Sequence, residues 1–204
     1  MGLVGLLFAA VTFPGLIVNG VVQQLFVDGY GAPTERIAVP EDPDEETIEE
    51  DPAALEQLRT LGPNEEPREG ERVEYFTDYE AVRSYNNLLA IVLGPFFVTS
   101  ILALVSFGAC VGADMAGIID RESGPLLWLA FFYPGFAIAA HSFPSSEPTN
   151  ALFSRSRQTG SLLKVVGYPI VALSKLINLL RFLWIDALYA IFLCLVLAIP
   201  LGVI

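Results

Sequence analysis

NNLLAIVLGPFFVTSILALVSFGACV, residues 86–111, runs for 26 residues without a charged side chain. As a helix rising 1.5 Å per residue it would be about 39 Å long, enough to cross a hydrocarbon core of about 30 Å. The stretch reads as a membrane-crossing helix, and that reading sets the fold class. Gly94-Pro95 falls within it and predicts a break. The rest of the chain agrees in composition. Of its 204 residues, 53% are hydrophobic, and mean hydropathy is +0.55.

Towards the N-terminus, residues 2–27 form a first apolar span, with a kink expected at Pro14-Gly15. No positive region precedes this run and no small-x-small cleavage site ends it, so it reads as a retained span. Towards the C-terminus, a short polar loop carries Asp114, Asp120, Arg121 and Glu122. A third span then runs from Pro125 to about Ala140, with Trp128, Phe131, Phe132 and Tyr133, and a break expected at Pro134-Gly135. Residues 141–160 read as a polar loop. Residues 162–184 are apolar but carry Lys164, Lys175 and Arg181. They read either as a span or as a helix in the interface with snorkelling basic tips. Residues 185–204 are the last span. The expectation is an all-α membrane protein, a bundle of four to five transmembrane helices with a small extramembrane β-hairpin and an acidic loop. Its parts are a first span (1–27), an extramembrane loop (28–85) and a bundle of three to four spans (86–204).

The net charge is −12, and most of the acid lies between Asp28 and Glu80. Such a segment stays hydrated and repels itself. That excludes nucleic acid and an anionic lipid surface as its partners, and it fits a halophilic source. It lacks the spacing of an EF-hand calcium loop. Residues 34–39 and 72–76 read as two strands of a hairpin. Between them, residues 52–61 read as a short helix with Asp51 as N-cap and Pro52 at its first position. Cys110 and Cys194 lie in or beside apolar segments with no CxxC pairing, and read as small buried hydrophobes. Arg72, Arg83, Arg155, Arg157 and Lys164 outnumber Arg121 across the spans, which puts the acidic loop in the cytoplasm and the N-terminus outside.

Polar residues inside apolar spans are costly and mark functional candidates. The first span holds Asn19, Gln23 and Gln24. Asn19 and Gln23 are four apart and share a helix face. Their plainest role is hydrogen bonding to a neighbouring helix. TFPGLIVNGVVQ (residues 12–23) and YGAPTE (30–35) resemble the first helix of an integral-membrane zinc metallopeptidase family related to site-2 proteases. Members carry T-F-P-G-V-x-x-H-E-x-x-H followed by G-V-P-V and a strand. Three further blocks resemble the family in the same order: YNNLLAIVLGPFFVTS (85–100), PGFAIAAHSFPS (134–145) and GYPIVALSKLINLLRFLWIDALY (167–189).

In H-E-x-x-H, two histidines bind zinc from one helix face and the glutamate acts as general base on the metal-bound water. Here those positions are Asn19, Gly20 and Gln23. Carboxamides are poor zinc ligands, and glycine accepts no proton. The single histidine is His141, and the resemblance matches Asp186 to the aspartate that completes the zinc shell in relatives. The resemblance therefore implies a metallopeptidase-like pseudoenzyme: no catalytic residue, no metal or other cofactor, and a polar core of Asn19, Gln23 and Asp186 at the former metal site. His141 reads as a polar helix-end residue, and Asp186 by itself reads either as a residue near the interface or as a buried partner of Asn19, Gln23, Lys175 or Arg181. Such a protein would sit in the cell membrane as a multi-pass protein and bind or scaffold another membrane protein or a second copy of itself. Alternatives are a hydrolase with an atypical metal site at His141, Asp186 and Glu147, a structural subunit, and a transport component with a water-filled cavity. No phosphate-binding loop appears, and Ser142 and Ser145 lie at a loop start, unsuited to a serine peptidase.

Overall fold

The N-terminal apolar run folds as two helices, α1 (Leu3–Val11) and α2 (Phe13–Gly29). The computed structural model describes residues 3–40, 59–62, 64–68, 70–119, 124–158, 163–180 and 185–202. The break between the two helices falls at Thr12, upstream of the expected kink. Pro14 lacks an N–H, and in the first turn of α2 that N–H would have no helical partner. The Thr12 carbonyl opens α2 by accepting the Gly15 N–H at 2.9 Å.

The segment 86–111 lies in one continuous helix, α3 (Tyr85–Met115), and the break expected at Gly94-Pro95 does not occur. Pro95 removes only the hydrogen bond to the Ile91 carbonyl. The turn that follows is stitched by the Thr99 hydroxyl, which donates to the Pro95 carbonyl at 2.7 Å, and by Ser100, which donates to the Phe96 carbonyl at 2.6 Å. Gly94 makes room for the Phe26 ring, since a Cβ there would lie 1.9 Å from it. The same device recurs in α4 (Pro125–Ala139), which continues through Pro134-Gly135. A Cβ on Gly135 would lie 2.8 Å from the Phe107 ring. In apolar surroundings a helix keeps its remaining backbone bonds because nothing else can satisfy them.

The expected polar loop 141–160 contains a helix, α5 (Ser146–Gln158). Its buried side is Pro148, Thr149, Ala151, Leu152 and Ser156, so its apolar stripe is faint in sequence. Then come α6 (Leu163–Leu180) and α7 (Ile185–Ala198). The protein is mostly helical with one small sheet. It forms two compact units, Gly31–Arg83 and Met1–Tyr30 with Ser84–Ile204.

In the helical unit, α3 packs against α2, α4 and α7, and α5 packs against α3 and α6. The core joins Ala103 and Phe107 of α3 to Ala139 of α4 and Ala190, Leu193 and Cys194 of α7. Small residues let the helices approach closely, as in membrane bundles. Large apolar side chains point outward on several helices. They include Ile17, Val21 and Leu25 on α2, Phe97, Ile101 and Val105 on α3, Leu126 and Leu129 on α4, and Ile191, Phe192 and Val196 on α7. Among the described residues one helix, α3, is long and apolar enough to cross a membrane, while α4 and α7 are shorter apolar helices.

The other unit holds three antiparallel strands, β1 (Thr34–Pro40), β2 (Arg59–Leu61) and β3 (Glu71–Thr77), in the order β2-β1-β3. The expected hairpin is the β1–β3 pair, with Arg36 opposite Tyr75. The end of the helix expected over 52–61 is instead strand β2, which pairs Leu61 with Arg36 on the other edge of β1. Residues 52–58 lie outside the described residues. Pairing the open edge of β1 satisfies backbone groups that a local helix would leave exposed. The Glu71 carboxylate accepts the Arg68 N–H at 2.9 Å and the Arg59 guanidinium at 3.0 Å, which hold its pKa below the usual range.

A Cβ on Gly15 would lie 1.8 Å from the backbone carbonyl oxygen of Ala137. Gly94 faces a movable ring, and Gly20 faces open space. Gly15→Ala should therefore cost about 2 kcal/mol or more through forced backbone displacement, and Gly94→Ala less, about 1 kcal/mol. Gly20→Ala should be neutral or stabilise by up to about 1 kcal/mol through helix propensity. Thermal unfolding of the three variants in detergent gives the ranking; an unchanged Gly15→Ala would refute the packing of α2 on α4.

Candidate functional site

Thr12, at the junction of α1 and α2, is fully buried. Its hydroxyl does not cap α2. It donates instead to the Phe8 carbonyl at 2.8 Å, at the end of α1. His141, just past the end of α4, places Nε2 2.8 Å from the same hydroxyl oxygen. A hydroxyl has one proton. With that proton given to Phe8, Thr12 accepts from His141, and the proton of His141 sits on Nε2. A second bond ties the same junction to α4: the Tyr133 hydroxyl donates to the Val11 carbonyl. His141 thus acts as a helix-end residue that holds the α1–α2 junction.

Two turns further along α2, Asn19 and Gln23 line a cavity of about 10 Å³. Ile91, Val92 and Pro95 of α3 form another wall, and Ser142 to Ser145 with Pro148 form a third. Ile91 and Pro95 stand at either end of the hydrogen bond that the proline deletes. The volume suits about one water molecule. The Ser142 hydroxyl is buried and donates to the Ile138 carbonyl at 3.1 Å. Gln24, on another face, donates to Asp28 at 2.7 Å.

Asp186 is buried, 7% exposed, in the first turn of α7. It is not among the residues lining the cavity. Phe143 connects the two places. It lines the cavity and meets the ring of Tyr189, three residues after Asp186, at 4.8 Å. The structure brings Asn19 and Gln23 to one cavity, places Asp186 one turn before Tyr189 on α7, and bonds His141 to Thr12. Glu147 is exposed at the start of α5. The position of Gly20 supplies no side chain and is open.

The donors at positions 19, 20 and 23 do not fit a zinc ion: two neutral amides and a glycine offer neither imidazole nor carboxylate. Among the described residues no three His, Cys, Asp or Glu side chains come together where they could hold a metal, so His141, Asp186 and Glu147 do not form such a group. Two elements of the site lay outside the sequence reading. One is Thr12 as the acceptor for His141, and the other is the Ser100–Tyr189 hydroxyl pair at 2.7 Å that joins α3 to α7. Thr12 and Ser100 are polar residues in apolar runs, and that was the available signal.

A separate apolar hollow of about 510 Å³ opens beside the α1–α2 junction, lined by Val11, Leu126, Leu129, Ala130, Phe132, Tyr133 and Phe136. The notches at Pro14-Gly15 and Gly94-Pro95, by contrast, are filled by the Ala137 carbonyl and the Phe26 ring. In comparisons with protein-family models, curated proteins and solved structures, nothing matches this chain.

If the His141–Thr12 bond holds the junction, Thr12→Val and His141→Ala should each destabilise the protein by about 1 kcal/mol or more. Their effects should be non-additive by about 1 kcal/mol. A double-mutant cycle of unfolding free energies in detergent measures the coupling; simple additivity would remove the bond from the account.

Proposed function

We propose that this protein is a non-catalytic, multi-pass membrane protein of metallopeptidase-like architecture that binds or scaffolds another membrane protein. The observation that carries the reading is the small cavity beside Asn19 and Gln23. Residues from the first three blocks of the resemblance line it, and Tyr189 of the fourth block meets Phe143 at its wall. Where relatives would place two imidazoles and a carboxylate, this chain places two amides and a glycine. Amides hydrogen-bond as neutral donors and acceptors, so they keep a polar centre without charge. A volume of about 10 Å³ leaves no room for a peptide bond and an attacking water. It also does not suit a water-filled transport path.

The multi-pass reading rests on the outward apolar side chains of α2, α4 and α7 as well as α3. Apolar area on that scale is stable against lipid and not against water. Four or five crossings follow if α1–α2, α3, α4 and α7 all traverse, with α6 as the fifth or as an interfacial helix. The apolar hollow beside Val11 is the surface such a protein offers a partner.

Two measurements test these points. Elemental analysis of gently purified protein should find no stoichiometric zinc in the wild type, in Asp186→Ala or in His141→Ala. One zinc per chain, lost in both variants, would make a hydrolase the leading account. Topology is read from single cysteines placed at exposed Asn86, Met115 and Gln158 in a background with Cys110 and Cys194 replaced by alanine. An impermeant thiol reagent should label Met115→Cys from outside, and Asn86→Cys and Gln158→Cys only from inside. Labelling of Asn86→Cys and Met115→Cys from the same side would reject α3 as a crossing.

A further inference from the structure

Between Glu147 and Asp186 the chain carries Arg155, Arg157, Lys164, Lys175 and Arg181 and no acidic residue. This positive segment stands in a chain of net charge −12. Its described residues fold as the α5–α6 pair, and Arg181 lies outside the described residues. α5 is anchored to the bundle by Ser156, whose hydroxyl lies 3.1 Å from that of Tyr85 on α3. On α6, Val171 and Ser174 are buried, whereas Tyr168, Ala172, Leu173, Lys175 and Leu176 are exposed. At 100° per residue the exposed positions span an arc of about 160°, with Lys175 at one margin. The exposed arc is therefore apolar with a cation along its edge. A second cation stands beside it: the Arg157 guanidinium and the Lys175 ammonium reach the same Phe153 ring, at 5.5 Å and 4.7 Å. Among the described residues neither is in an ion pair. Two like charges drawn to one ring attract an anion.

We propose that the α5–α6 pair is an interfacial binding site for the headgroups of anionic phospholipids. The apolar arc of α6 lies at the acyl boundary, and Arg157 and Lys175 hold the phosphate. An amphipathic helix with cations beside its apolar face is the form that binds anionic interfaces. Charge complementarity selects this surface and no other. The acidic segment between Asp28 and Glu80 repels an anionic bilayer, so contact with the headgroups falls to the one segment that is wholly basic. The inference does not depend on the absence of catalysis.

The test is native mass spectrometry of the full chain in detergent, titrated with dioleoyl-phosphatidylglycerol or dioleoyl-phosphatidylcholine. The wild type should bind phosphatidylglycerol at least about tenfold more tightly, and the preference should shrink as salt is raised. In Arg157→Gln/Lys175→Gln the preference should be lost, each cation being worth up to about fivefold, with phosphatidylcholine binding unchanged as the sign of an intact fold. Equal binding of the two lipids by the wild type would overturn the proposal, as it would if the chain's own acidic segment occupied the site. A preference that salt does not alter, or that survives the double substitution, would overturn it as well.

Discussion

At Gly15, α2 lies so close to α4 that a Cβ would meet the Ala137 carbonyl at 1.8 Å. This approach governs much of the helical unit. It brings the α1–α2 junction against the end of α4, where Thr12 meets His141 and Tyr133 meets Val11. It also turns the next stretch of α2, with Asn19 and Gln23, towards Pro95 and the connection between α4 and α5. Close packing of small residues is the device by which helices approach one another here, as it is in membrane bundles. Gly94 under Phe26 and Gly135 under Phe107 repeat the solution along α3 and α4.

Polar residues in the bundle follow one pattern. Thr12, Thr99, Ser100, Ser142, Thr149 and Ser156 each donate to the carbonyl four residues earlier in the chain. That satisfies the donor within its own helix turn. The hydroxyl oxygen can still accept, and three of them do so across a helix interface: Thr12 from His141, Ser100 from Tyr189 and Ser156 from Tyr85. Each link costs no buried charge and fixes the register of two segments. The amides at Asn19 and Gln23 fit the same logic, since they give a neutral polar centre. An imidazole pair with a carboxylate would need a metal to be stable there.

Charge is sorted along the chain. The acid concentrates between Asp28 and Glu80, and the described part of that segment forms its own sheet unit, with Arg59 bridging Glu65 and Glu71. The apolar helices are nearly uncharged. Five of the eleven basic residues lie between Glu147 and Asp186, where no acidic residue accompanies them, and five more are interleaved with the acid between Arg36 and Arg83.

The sequence alone determined several local elements. The uncharged run 86–111 is a helix of membrane-crossing length, the strands 34–39 and 72–76 pair, and Asn19 and Gln23 share one face. These follow from hydropathy and period, which are local. The same local rules misplaced the helix breaks. Pro95 and Pro134 lie inside continuous helices, because glycines beside them admit Phe26 and Phe107 and the surrounding packing holds the turns. Helix α5 was invisible because its buried side is mostly small and polar, and strand β2 because its partner is distant in the chain. Only the tertiary structure decided that Thr12 accepts from His141, that the amide pair shares its cavity with Pro95 and Ser142, and that Phe143 in its wall meets Tyr189. Hydropathy says how a residue relates to its solvent. Which polar groups meet depends on how closely two helices approach, and here that distance is set by single glycines.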